Sequence, residues 1–279
     1  MKKLLIAALS LSSVSLAAQA QVKMPAPSPT QTIKQDFAIG NIEIVYSRPS
    51  AKGRKVFGDL VPYGKLWRTG ANAATKISFS DAVEIGGKKI EPGTYALYTK
   101  PSEDNWEIIL NKGTGNWGID GYKEEQDVLN IKVVPSKTKT AFENFTIQFA
   151  NIKPESCDIQ LAWEQTMVDI PVTADIKERL KAQIEDALKN AEKKPYWEAA
   201  QFYNEYDKNL PKALDNVTKA IEAYPKGYWM LVYKAKIQKE MGDMKGAMES
   251  SKQSMALAKE DGNEDYVKIN KDLQKALSE

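Results

Sequence analysis

Apolar and polar positions alternate along the first two-thirds of the chain and recur at helical spacing in the last third. Ile42, Ile44 and Tyr46 alternate with Glu43, Val45 and Ser47, the period of a strand that buries one face. Thr75 to Ser80 repeats the pattern. Val83-Glu84-Ile85 and Lys88-Lys89-Ile90 flank Gly86-Gly87, a hairpin signal because glycine accepts the positive φ of tight turns. Pro92-Gly93 turns the chain into Thr94 to Thr99. Further strands are expected over 105–111, 127–134, 142–150 and 157–170, nine in all, and twelve of the sixteen glycines precede residue 122. Strands that each need to bury one face predict an antiparallel β-sandwich or jelly-roll-like domain over 32–171.

The period changes after Pro171. Thr173 is the expected cap of a helix whose apolar stripe is Ile176, Leu180, Ile184, Ala187 and Leu188, and Pro195 is its expected end. Beyond it, Gln201 matches Ala235, Ala213 matches Ala247, Val217 matches Ser251 and Ala220 matches Ser254 at an offset of thirty-four residues. Trp197, Ala213, Ala220 and Pro225, with Gly242 and Ala247 in the second unit, resemble the tetratricopeptide pattern. An all-α, tetratricopeptide-like helical domain is therefore expected over 173–279. Two units are fewer than such repeats usually need, so the tail should dock on the sheets.

Lys2 and Lys3 precede an apolar run from Leu4 to Leu11, and Ala18-Gln19-Ala20 offers small residues at cleavage spacing. Residues 1–20 read as a signal peptide cleaved near Ala20, for a chain exported to the periplasm or beyond the cell. The run is too short to span a bilayer, and no later segment reads as a membrane span. Residues 21–31 (QVKMPAPSPTQ) read as a flexible linker.

Composition narrows the chemistry. Without Lys2 and Lys3 the basic and acidic residues number 37 each, so no basic excess suits nucleic acid. There is no histidine, which excludes His-dependent triads and His-ligated metals. The single cysteine, Cys157, reads as a buried apolar residue. No cofactor and no metal is implied. Carboxylate or Ser-Lys chemistry, oxygen-ligated metals, or binding without catalysis remain.

The candidate site is the stretch 46–72, YSRPSAKGRKVFGDLVPYGKLWRTGAN. Three of the four arginines in the chain, Arg48, Arg54 and Arg68, fall within it, against thirty-five lysines overall. A planar guanidinium fork suits carboxylate or phosphate better than a mobile ammonium does. These arginines and Asn72 are the expected grip on a small anionic or polyhydroxyl ligand, with Trp67 or Tyr63 stacking on it. The competing reading makes the arginines struts of a long loop, with Asp59 as a partner. Trp106, Trp117 and Trp163 read mainly as core, with Trp117, in a glycine-rich loop, the one expected to be exposed. Asp120, Glu124, Glu125 and Asp127 read as a solvated turn rather than a calcium or glycosidase site.

The run Ser47-Arg48-Pro49, Gly53-Arg54, Phe57-Gly58 and Trp67-Arg68-Thr69-Gly70-Ala71-Asn72, with IGGKKIEPGTYALYT and WEIILNK behind it, resembles the secreted bacterial family called domain of unknown function 2911. The resemblance covers roughly residues 28 to 170. It implies a β-rich exported domain, sometimes with a tetratricopeptide-like tail, and no established activity. The leading reading is a non-catalytic binding or scaffolding protein of the cell envelope whose helical tail contacts a protein partner. A carboxylate-dependent carbohydrate-active or other hydrolytic enzyme is the alternative, and a pure assembly module a third reading.

Overall fold

The structure, a computed structural model, describes residues 24–279. The expected signal peptide and the first residues of the expected linker lie outside the described residues. Met24 to Pro29 carry no regular structure, but Thr30 and Gln31, expected in the linker, already belong to a strand.

Ten strands follow: β1 (Thr30–Phe37), β2 (Gly40–Ser47), β3 (Thr75–Phe79), β4 (Val83–Ile85), β5 (Lys88–Ile90), β6 (Gly93–Lys100), β7 (Trp106–Asn111), β8 (Asp127–Val133), β9 (Ser136–Lys153) and β10 (Ser156–Thr173). They form two antiparallel sheets, ordered β1-β2-β3-β6-β7-β8 and β5-β4-β10-β9. In the larger sheet successive strands are neighbours, broken only by the β4–β5 excursion. This is a meander, without the interleaved order of the expected jelly roll. The Gly86-Gly87 hairpin forms as its sequence predicts, with φ of 60° and 76°.

Both sheets bury side chains in one core. Ile42, Ile44 and Tyr46 of β2 meet Leu97 of β6, Ile108 of β7, Phe145 of β9 and Trp163 of β10. Each such side chain removed from water contributes about 1.5–3 kcal/mol. The opposite face of the larger sheet carries a smaller cluster of Ala74, Ala96, Tyr98 and Ile109, against which Leu66 and Tyr122 pack. The segment between β7 and β8 thus lies across that face, and this positions the second half of the site below.

Six helices complete the described chain: α1 (Lys177–Asn190), α2 (Tyr196–Glu205), α3 (Leu210–Ala223), α4 (Tyr228–Glu240), α5 (Met244–Glu260) and α6 (Glu264–Ala276). Thr173, the expected cap of α1, is instead the last residue of β10, because Val172 and Thr173 pair with Ile85 and Glu84. Ile176 occupies the cap position without a side-chain bond. Pro195 does not end α1, which stops at Asn190; it opens α2, where a residue without an N–H costs no hydrogen bond.

The helical part touches the sheets at its beginning. Leu180 of α1 and Tyr206 after α2 pack against both the sheet core and the helical core. Arg179 makes a two-pronged pair with Asp81, just after β3. Among the described residues no helix is long and apolar enough to cross a membrane.

Candidate functional site

The arginine-rich stretch runs between β2 and β3 and is pinned at three places. Ala51 donates its amide to the Glu143 carbonyl (2.8 Å), and Lys52 donates its amide to the Glu143 carboxylate (2.8 Å). Trp67 exchanges backbone bonds with Thr99 of β6, at 2.7 and 2.9 Å. Its indole Nε1 donates to the Gly70 carbonyl at 3.0 Å.

That last bond closes a tight and strained turn. Thr69 has φ 53° and Asn72 φ 60°, a conformation that is a real outlier for a β-branched residue. Thr69 is fully buried and held there: its carbonyl accepts from Thr75 Oγ1 at 2.6 Å, and its hydroxyl meets Thr99 Oγ1 at 3.2 Å. Such strain costs on the order of 1–3 kcal/mol and persists where surroundings over-determine it, often at binding sites.

Around the turn lies a cavity of about 390 Å³, within the range of small-ligand sites. Arg54, Lys65 and Arg68 supply its cations, and Trp67 and Trp163 its floor. The two indoles are stacked 5.9 Å apart at 22°. Leu60 and Ile119, two of the larger apolar side chains left exposed, stand at the same cavity. Among the described residues no Asp or Glu lines it.

The three arginines do different jobs. Arg48 donates from Nε to the Phe145 carbonyl at 3.2 Å and from Nη2 to Thr146 Oγ1 at 2.9 Å, so it ties the end of β2 to β9. Arg54 spends Nε and Nη2 on the carbonyls of Ala51 (2.9 Å) and Ser50 (2.8 Å) and still reaches the cavity. Arg68 differs: among the described residues its Nε is buried without a hydrogen-bond partner, as is that of Arg179. A buried guanidinium nitrogen left unpaired is costly. None of the three forms a salt bridge among the described residues, so Asp59 is not the strut partner.

The other expected site residues disperse. Trp67 is core as well as floor. Tyr63 lines a different cavity, with Phe57, Trp106 and Lys137. Asn72 lines a third, with Trp117, and donates to Ser28 O and Ser47 Oγ, each at 3.3 Å. Trp106 and Trp163 are 2 % exposed, so neither offers an open face on the sheet surface, although Trp163 reaches the lining of the Arg68 cavity; Trp117 is 66 % exposed.

The acidic cluster is not gathered: Asp127 accepts from Asn111 Nδ2 (2.7 Å) and from the Tyr122 hydroxyl (2.7 Å). Burial raises the Tyr122 pKa, and the second bond, which stabilises the protonated phenol, adds to it. No group of three Asp, Glu or Cys residues suited to a metal occurs among the described residues.

Lys65, Leu60 and Ile119 were not marked by the sequence. Lys65 and Leu60 lie inside the flagged stretch, but nothing in the order of residues says which way each points. Ile119 belongs to the glycine-rich loop, whose four glycines between 113 and 121 are the one available signal.

Residues 28–172 match the family described as "Protein of unknown function (DUF2911)", and the chain belongs to that family. A search of curated proteins found no match.

Proposed function

We propose that the chain is an exported, non-catalytic binding protein whose cavity at Arg68 holds a small anion with an apolar body. The observation that carries this is the lining: three cations and no carboxylate over a floor of two stacked indoles. A free phosphate would leave that floor, and the Leu60 and Ile119 side chains, without a partner. An aromatic or branched aliphatic carboxylate would cover both and satisfy Arg68. Hydrolysis by a carboxylate pair needs two acids across a cleft, and this cavity offers none.

The helical part is read as a tetratricopeptide-like repeat. Leu210 and Met244, which open α3 and α5, are thirty-four residues apart, and Tyr196 and Tyr228, which open α2 and α4, thirty-two. Ala213, Ala220, Ala247 and Ser254 are buried where paired helices must approach closely. Contact between α1 and the sheets leaves α2 to α6 to engage a protein partner of the cell envelope.

A thermal-shift screen of the protein from Gln21 onward tests the reading, with phosphate, sulfate, benzoate, branched aliphatic carboxylates, neutral sugars and calcium. A ligand at about 100 times its Kd adds roughly 2.7 kcal/mol, a shift of several degrees at this size. The apolar carboxylates should shift the melting point most. A response to calcium or neutral sugars alone would overturn the assignment.

A further inference from the structure

The loop between β7 and β8 is built with unusual care around one exposed tryptophan. Ala73 and Trp117 form a backbone bridge, Gly118 donates its amide to the Asn72 carbonyl at 3.0 Å, and Asp120 donates its amide to the Trp117 carbonyl at 3.2 Å. Asn116 Nδ2 donates to the Tyr98 hydroxyl at 3.0 Å, and Tyr122 packs edge-on against Tyr98 at 5.1 Å. Gly118 and Gly121 hold φ of 69° and 84°. A Cβ at Gly121 would stand 2.8 Å from Asn116 Oδ1.

Everything in this loop is fastened, yet its indole remains 66 % in water. Folding forgoes the burial of its largest side chain and has spent backbone entropy to hold it out. A preorganised, exposed aromatic surface is thereby available to a ligand at little further cost.

Beneath the indole lies a cavity of about 440 Å³. It is a separate cavity from the one at Arg68, with no lining residue in common, although Ala71 of the first and Asn72 of the second are chain neighbours. Apart from the indole, its lining is mixed: Thr30, Ser47, Asn72 and Lys76 supply the polar groups, and Val45, Tyr46, Ala73 and Ala74 the apolar ones. Lys76 forms no salt bridge, and the Asn72 side-chain oxygen accepts no hydrogen bond, among the described residues.

We infer that this cavity is a saccharide subsite for an acidic oligosaccharide. The C–H face of one pyranose ring stacks on Trp117, Lys76 pairs with a sugar carboxylate, and Asn72 Oδ1 and the Thr30 hydroxyl take ring hydroxyls. Tyr46 is 2 % exposed, and the remaining apolar lining is Val45 and two alanines, so the indole is the one open aromatic face at this cavity. One aromatic face beside hydroxyl, amide and ammonium groups matches a ligand that is apolar on one side and hydroxylated at its edges.

Titration calorimetry with tetragalacturonate and with cellotetraose tests this, using the parent chain, Trp117→Ala, Lys76→Ala and Tyr63→Phe. Trp117→Ala at so exposed a position should melt within about 2 °C of the parent, so that lost binding is not lost folding. Tetragalacturonate should bind the parent more tightly than cellotetraose does. Trp117→Ala should weaken both by at least about tenfold, and Lys76→Ala should erase the preference for the acidic sugar. Tyr63→Phe, which lies in another cavity, should bind both as the parent does. Failure of both sugars to bind the parent, unchanged binding by Trp117→Ala, or loss of binding in Tyr63→Phe would each overturn it.

Discussion

Arg68 lies directly against Gly118: a Cβ built on that glycine would stand 2.8 Å from Arg68 Nη1. Fifty residues apart in sequence, the two make the seam between the arginine-rich stretch and the tryptophan loop. Gly118 also has φ 69°, so its backbone favours glycine, and an added Cβ would in addition push aside the flexible end of Arg68.

Gly118→Ala should therefore cost about 1–3 kcal/mol, the sum of a strained backbone and a displaced guanidinium. Urea unfolding of the variant measures it. Anion binding should fall with stability, because Arg68 must move. A variant as stable as the parent would show that the loop has slack.

Arg48 is a strut and Arg68 is not. Arg48→Ala removes two bonds between the end of β2 and β9 and should lower stability by about 1–3 kcal/mol while binding of benzoate stays at the parent level. Tyr63→Phe, in another cavity, should likewise leave binding alone. Chemical denaturation and calorimetry on the same samples separate the two effects.

The Arg179–Asp81 pair joins the helices to the sheets and is partly open to solvent. Arg179→Ala should cost no more than about 1 kcal/mol globally. Its clearer signature should be faster protease cleavage between Thr173 and Lys177, where the strand ends and the helix begins without a side-chain cap. Unchanged cleavage there would mean that Leu180 and Tyr206 hold the junction by packing alone.

Burial pushes the Cys157 thiol from its ordinary 9.0 to about 11. The unfolded chain then loses this proton near pH 9 and the folded chain only near pH 11. Its contribution to stability is full below pH 9 and is lost as pH rises towards 11. The stability difference between the parent and Cys157→Ala should therefore shrink over that interval, as unfolding curves at pH 8, 9, 10 and 11 would show. A constant difference would contradict the burial account.

Where a strand buries one face, its alternation is visible: Ile42, Ile44 and Tyr46 all point into the core. β1 escaped notice because it is an edge strand. Lys34, Gln35 and Asp36 break its pattern, and Phe37 alone is buried. Such charges are how edges avoid unwanted pairing, and they erase the signal. The first part of β9 is hidden for a similar reason, since Ser136 to Asn144 are largely exposed and owe their strand to pairing with β10.

The site was legible as a neighbourhood and not as a constellation. A cluster of arginines marked the stretch, but the bond from Arg48 to Phe145 spans ninety-seven positions and the contact of Arg68 with Gly118 spans fifty. Local sequence cannot tell a strut from a ligand-facing side chain when the deciding partner lies that far along the chain. The exposed Trp117 was readable from its glycines. Its place beside Asn72 was not.

The most direct test is calorimetric titration of benzoate into the parent, Arg68→Ala and Arg48→Ala proteins, each first shown to be folded. Binding to the parent and to Arg48→Ala, weakened at least about tenfold in Arg68→Ala, is the expected result. Equal affinity in all three, or no heat with any of them, would contradict the claim that Arg68 is the anion-binding centre.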